Sequence, residues 1–118
     1  MPTPTSIRLR RAERLLDVEF DDGARFSFPA EYLRVESPSA EVQGHAPDER
    51  RVVPGKRGVA IEALEPVGNY AVRIRFDDGH DTGLYSWDWL HRIGTERDAR
   101  WQAYLDLLDS RGMSRDSP

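Results

Sequence analysis

The chain contains no cysteine. That absence removes disulfides, thiolate catalysis, thiolate zinc sites and cysteine-ligated clusters together, and it is compatible with a reducing compartment. Long apolar runs are missing as well. Nothing approaches the ~20 consecutive apolar residues of a membrane helix, and the N-terminus lacks the basic-then-apolar pattern of a signal peptide. A cytoplasmic protein without membrane association is expected. Lysine is nearly absent: of 17 basic residues only Lys56 is lysine, the other 16 being arginine. Genome composition is the first explanation of that bias; bidentate pairing with carboxylates or phosphates is the second. The net charge of -4 argues against a general nucleic-acid binder, which carries a basic domain or stripe. Gly55-Lys56-Arg57-Gly58 lacks the spacing of a phosphate-cradling P-loop, and no serine sits in a nucleophile-elbow pattern.

What is present is enough for one domain of 118 residues with its own core. Met1 to Thr5 reads as a disordered leader. Ser6 to Arg10 alternates, with Ile7 and Leu9 on one face, and Leu16, Val18 and Phe20 alternate against Asp17 and Glu19. Asp21-Asp22-Gly23 then marks a hairpin, with Phe26 and Phe28 on the return strand. Pro29 to Leu33 begins a short helix. From Val35 to Arg57 regular signals fade into a long connection holding His45, Arg50-Arg51 and Lys56-Arg57.

The second half repeats the pattern. Val59, Ile61 and Ala63 alternate, and Pro66 and Gly68-Asn69 turn the chain. Tyr70, Val72, Ile74 and Phe76 share a face, and Asp78-Gly79 makes a second hairpin with Leu84 on its return. Ser86 is a candidate N-cap for a helix from Trp87 to Ile93, which Gly94 stops. Thr95 and Asp98 resemble a capping box. A further helix from Glu96 puts Trp101, Tyr104, Leu105 and Leu108 on one stripe, Gly112 ends it, and 113–118 is a loose tail. Val18 to Gly23 matches Ile74 to Gly79 at an offset of 56. Tyr32-Leu33-Arg34 answers Trp89-Leu90-His91 one residue further out. Duplication and the same turn chemistry used twice both produce such an echo. The expected fold is α+β: a small, mostly antiparallel sheet built from two β-hairpins, each followed by a short helix, plus a C-terminal amphipathic helix, in a single domain over 6–112.

The candidate chemistry gathers after the second hairpin. His80 follows the turn among Asp77, Asp78 and Asp81, where carboxylates can raise an imidazole pKa or help hold a cation; a turn histidine bonded to its neighbours is the plainer reading. Asp21-Asp22 and Asp77-Asp78 are turn formers before they are acid–base pairs. Tyr85, Trp87 and Trp89, beside Thr82-Gly83, are either core or an aromatic recognition surface. Trp101 is expected in the core.

Gly68-Asn69-Tyr70-Ala71-Val72, followed by Phe76 to Trp87 with its Gly-His-x-Thr-Gly-x-Tyr-x-Trp core and ending at Leu90, resembles the domain of unknown function 971. That domain is also called the gamma-butyrobetaine hydroxylase-like N-terminal domain. The likeness runs from Ser6 to Ile93. It implies an accessory module rather than a hydroxylase, because in the hydroxylases this domain precedes a separate iron- and 2-oxoglutarate-dependent one. The module's fusion to nucleotide-binding iron–sulfur carriers implies cluster or enzyme assembly as a context. Zinc-binding members carry Cys-x-Cys-x-x-Cys plus the histidine of the Gly-His motif. Here the matching positions are Ser37, Ser39, Val42 and His80, so no zinc and no other cofactor is expected. The sequence thus leads to a non-enzymatic module that meets a protein partner through Asp78, His80, Thr82, Tyr85 and Trp87. The alternative is a small-molecule site at the His80/Trp87 corner. The oligomeric state stays open.

Overall fold

Two Asp-Asp-Gly turns set the architecture. The computed structural model describes residues 2–39, 42 and 52–116. Gly23 and Gly79 take φ of +89° and +90°, a conformation that costs glycine little. In each turn the glycine N–H returns to the phenylalanine carbonyl three residues back, 3.1 Å in both cases. The second aspartate closes the loop: Asp22 Oδ1 accepts from the Ala24 amide at 2.9 Å, and Asp78 Oδ1 from the His80 amide at 3.0 Å.

Around these turns, β1 (Pro4–Arg10), β2 (Leu15–Phe20) and β3 (Arg25–Pro29) form one antiparallel three-stranded sheet, followed by α1 (Ala30–Val35). Then β4 (Ile61–Val67), β5 (Ala71–Phe76) and β6 (Leu84–Ser86) form a second, followed by α2 (Trp87–Thr95) and α3 (Arg97–Ser110). The fold is α+β, its strands divided between two sheets. The two halves repeat in detail. β1 and β4 each have seven residues, 57 positions apart, and their register slips at matching places, Pro4/Ser6 and Ile61/Ala63.

One continuous core joins the halves. Leu16, Val18, Phe20 and Phe28 meet Ile61, Val72, Ile74, Phe76 and Tyr85, with Leu33, Leu90 and Ile93 from the helices. Fully burying each such side chain is worth roughly 1.5–3 kcal/mol. The alternation in β2 and β5 produces this directly, since odd and even positions face opposite ways. A smaller cluster of Val35, Tyr104 and Leu108, with Trp101 and Leu105 packed against it, seats α3 on α1. Gly112, at φ +64°, ends α3 by letting the Met113 amide reach the Leu108 carbonyl at 2.8 Å.

Several expectations change. Tyr70 does not continue the β5 face; it sits in the preceding turn and is 59% exposed. Pro66 does not turn the chain but lies within β4, an edge strand, where a missing N–H is tolerated. Gly94 does not stop α2, which runs to Thr95. A Cβ at Gly94 would lie 2.7 Å from the Phe26 ring, so close packing explains that glycine. The Thr95/Asp98 capping box does not form: Thr95 Oγ1 donates back to the His91 carbonyl at 2.9 Å, and the residue before α3 is Glu96, with no side-chain cap. β1 starts at Pro4, inside the presumed leader. The tail is bonded through Ser114 and Arg115. His45 and Arg50-Arg51 lie outside the described residues.

Candidate functional site

The halves brace each other through exchanged contacts. Arg34 of α1 reaches across to Asp78 of the second hairpin at 2.8 Å, and His91 of α2 reaches back to Asp22 of the first, also at 2.8 Å. The Tyr32 hydroxyl donates to the Ile93 carbonyl at 2.5 Å, and the Trp89 indole donates to the Glu36 carbonyl at 3.0 Å. Tyr32 and Trp89 are 57 positions apart, as are Arg34 and His91, and Glu36 and Ile93. Turn chemistry alone does not create such reciprocal tertiary contacts, so the echo is a structural pseudo-repeat. Trp89 is thereby half-buried and committed to bracing, with the Arg100 guanidinium 5.0 Å from its ring centre.

The second hairpin adds chemistry that the first lacks. Where the first has Ala24, the second has His80, 7% exposed, with Nε2 2.9 Å from Ser37 Oγ. Where the first has Phe28, the second has Tyr85, 0% exposed, its hydroxyl donating to the Leu33 carbonyl at 2.5 Å. Burial pushes the Tyr85 phenol above its ordinary pKa. Gly83 leaves the space for Ser37: a Cβ there would meet Ser37 Oγ at 2.5 Å.

Asp78 is held hardest. Its Oδ2 lies 2.8 Å from Arg34 Nε and 2.6 Å from Lys56 Nζ, and the side chain is 17% exposed. Burial opposes its charge, yet Lys56, the His80 amide and Arg34 outweigh that and bring the pKa down to about 2. The aspartates around His80 therefore do not act as one cluster. Asp78 accepts the His80 backbone amide, Asp77 accepts the Ala60 amide at 3.0 Å, and Asp81 is exposed.

The expected site divides in two. His80, Tyr85 and Asp78 belong to internal bracing, because each side chain is consumed by a partner on α1 or the loop beside it. Tyr85 as an exposed recognition ring is therefore corrected: strand alternation turns it into the core. Thr82 is exposed. Trp87 is half-buried, its indole donating to the Asn69 carbonyl at 2.6 Å. Beside it a cavity of about 380 Å³ is lined by Pro2, Thr3, Tyr70, Ser86, Trp87 and Asp88. Another of about 320 Å³ is lined by Gly55, Lys56, Gly58, Val59, Asp77 and Asp78. His80 lines neither of these two cavities. Tyr70, which the sequence places on the β5 face, lines the first of them instead, because it follows Gly68-Asn69 in the turn.

The positions equivalent to a zinc set do come together. The Ser39 amide donates to Ser37 Oγ at 3.4 Å, the Val42 amide to the Ser39 carbonyl at 3.1 Å, and Ser37, Ser39, Val42 and His80 are all buried. Two hydroxyls and an isopropyl group cannot supply three thiolates, and among the described residues no group of three or more His, Cys, Asp or Glu side chains is placed to hold a metal. The residues do not fit zinc. Nor, among the described residues, is any helix long and apolar enough to cross a membrane.

A strand–Asp-Gly–strand–helix unit used twice and interlocked defines the class as a small α+β domain. The model of the family described as gamma-butyrobetaine hydroxylase-like, N-terminal, matches residues 7–91, and the chain belongs to that family. Two proteins with solution NMR structures are similar over most of their length. One is 44% identical with a TM-score of 0.84, the match covering 98% of this chain and 91% of the other. The second is 46% identical with a TM-score of 0.83, covering 98% and 86%. A crystal structure from Acidithiobacillus ferrooxidans ATCC 23270, of a protein with unknown function in the domain of unknown function 971 family, is 36% identical with a TM-score of 0.66, covering 78% and 92%. No curated protein matches the chain.

Proposed function

We propose that the protein is a non-enzymatic interaction module whose recognition face is built by Tyr70, Leu84, Trp87 and Asp88. The observation that carries this is a break in the pseudo-repeat. All of α1 is buried, under α3 and the tail, whereas the matching positions of α2 leave Asp88 and Arg92 exposed and Trp87 half-exposed. Beside them lie Tyr70 and Leu84, 59% and 45% exposed, two of the three exposed large apolar side chains among the described residues. Aromatic rings rimmed by charge are a favoured composition for an interface centre.

The occupant is a partner protein that covers α2 as α3 and the tail cover α1, with an apolar side chain against Trp87 and a basic group toward Asp88. An accessory role in iron–sulfur or metabolic enzyme assembly agrees with the contexts of the family and rests on them alone. A small-molecule role is less favoured, because His80 and Trp87 face different surroundings.

A photo-crosslinking residue at Leu84, with a control at Arg8 on the first sheet, tests the proposal in native extract. A protein crosslinked from position 84, absent from position 8 and lost with Trp87→Ala, is the expected result. The same set of products from both positions, or none from position 84, contradicts it.

A further inference from the structure

Glu31 presents a problem that the fold alone does not solve. It lies on α1, 7% exposed, and a carboxylate so buried is costly unless paired and hydrogen-bonded. Its partner comes from the far end of the chain. Arg115 Nε meets one carboxylate oxygen at 2.8 Å and Nη2 the other at 2.7 Å, while the guanidinium carbon stands 5.1 Å from the centre of the Trp101 ring. A two-pronged carboxylate beside an aromatic face is the arrangement that selects a planar guanidinium over a lysine ammonium; the ring adds cation–π attraction.

Two further observations separate this from an ordinary surface pair. A cavity of about 320 Å³ adjoins it, lined by Pro29, Glu31, Tyr32, Arg97, Asp98 and Trp101 with Arg115 itself, which leaves room for an incoming side chain. The segment carrying Arg115 is also lightly anchored. Ser114 and Arg115 carbonyls accept from Gly55 and Arg57 amides at 2.9 and 3.0 Å, Asp116 pairs with Arg57, and Met113 and Ser114 are exposed. No apolar side chain of residues 113–116 is buried.

We propose that Glu31 and Trp101 form a recognition slot for an arginine side chain, and that the chain's own Arg115 is its resident occupant. An arginine-bearing segment of another protein enters the slot by displacing Arg115. This site lies on α1 and α3, away from the Tyr70–Trp87 face, and stands or falls separately from it.

The test uses the full-length Arg115→Ala variant and N-acetyl-arginine amide as probe, with the citrulline amide as the uncharged control of the same shape. The Trp101 indole N–H resonance is expected to shift saturably with the arginine probe and not with citrulline. Wild type should need about tenfold more probe, because its own arginine must leave first. Silence in the folded variant, an equal response to citrulline, or equal affinity in wild type and variant overturns the proposal. Adding Glu31→Gln to Arg115→Ala should abolish the response; a response that survives overturns it too. Should Arg115→Ala not fold, wild type answers alone. Excess arginine probe is expected to move the Ser114, Arg115 and Asp116 amide resonances toward free-chain values, and a tail that keeps its resonances refutes the slot.

Discussion

Replacing Asp78 by asparagine should cost between about 2 and about 4 kcal/mol of stability at neutral pH. The lower figure follows from the carboxyl itself. Its pKa is about 2 in the folded chain against an ordinary 3.8, and that gap corresponds to roughly 2.5 kcal/mol at about 1.4 kcal/mol for each tenfold step. Because the side chain is only 17% exposed, solvent screening trims this modestly, to about 2. The upper figure adds the consequence for Arg34, a buried cation that loses its carboxylate; breaking a buried pair by removing one partner costs about 3–5 kcal/mol. Asparagine keeps an oxygen for the His80 amide, while its NH2 stands where Oδ2 accepted from Arg34 and Lys56, so the charge and that acceptor are lost together. The sign follows from the direction of the shift. A folded pKa below the unfolded one stabilises fully above about pH 4 and loses that contribution as pH falls through about 2. Urea denaturation of both proteins at pH 7 and near pH 2 measures it. The gap between wild type and Asp78→Asn should be largest at pH 7 and close on acidification. A gap below about 0.5 kcal/mol at pH 7, or one that does not change with pH, refutes the reasoning.

Three other substitutions test neighbouring parts of the account. Tyr85→Phe removes the donor to the Leu33 carbonyl inside the core and should cost about 1–3 kcal/mol; a neutral result in thermal unfolding would show that the hydroxyl is not part of the bracing. Gly94→Ala gains roughly 1 kcal/mol of helix propensity but forces a methyl to 2.7 Å from Phe26, an overpacking that costs about 1–3 kcal/mol. Calorimetry should therefore find a net loss, and a raised Tm would mean the Phe26 ring moves aside freely. Ser37→Cys, Ser39→Cys and Val42→Cys combined should convert the buried set around His80 into one that retains zinc through dialysis, measured by metal analysis. Zinc content equal to that of wild type would show that these backbone positions do not converge as described.

The parts of the fold legible in the sequence were those governed by local chemistry. Asp-Gly between alternating segments gave both hairpins, Ser86 accepts from the Trp89 amide as an N-cap at 3.1 Å, and the stripe on α3 buries Tyr104 and Leu108. What was not legible depends on the other half of the chain. Asp22 and Asp78 look alike as turn formers, yet His91 and Arg34, from opposite halves, decide their environments. Tyr85 and Trp87 are two positions apart on a strand–helix corner, and only the position of the core decides that the first is internal and the second borders solvent. Gly94 carries no sign of its neighbour Phe26, 68 positions earlier. Among the candidate side chains, burial of Tyr85 and His80 and exposure of Thr82 and Tyr70 likewise depend on where the core lies.

Crosslinking from Leu84 in native extract, repeated in two variants shown by NMR to be folded, is the most direct measurement of the central claim. Recognition at the Tyr70–Trp87 face, with the His80–Tyr85 corner acting as internal bracing, predicts that Tyr70→Ala/Trp87→Ala loses the crosslinked partner while Tyr85→Phe keeps it at reduced stability. Loss of the partner in Tyr85→Phe with retention in Tyr70→Ala/Trp87→Ala would contradict that claim and move recognition to the inner corner.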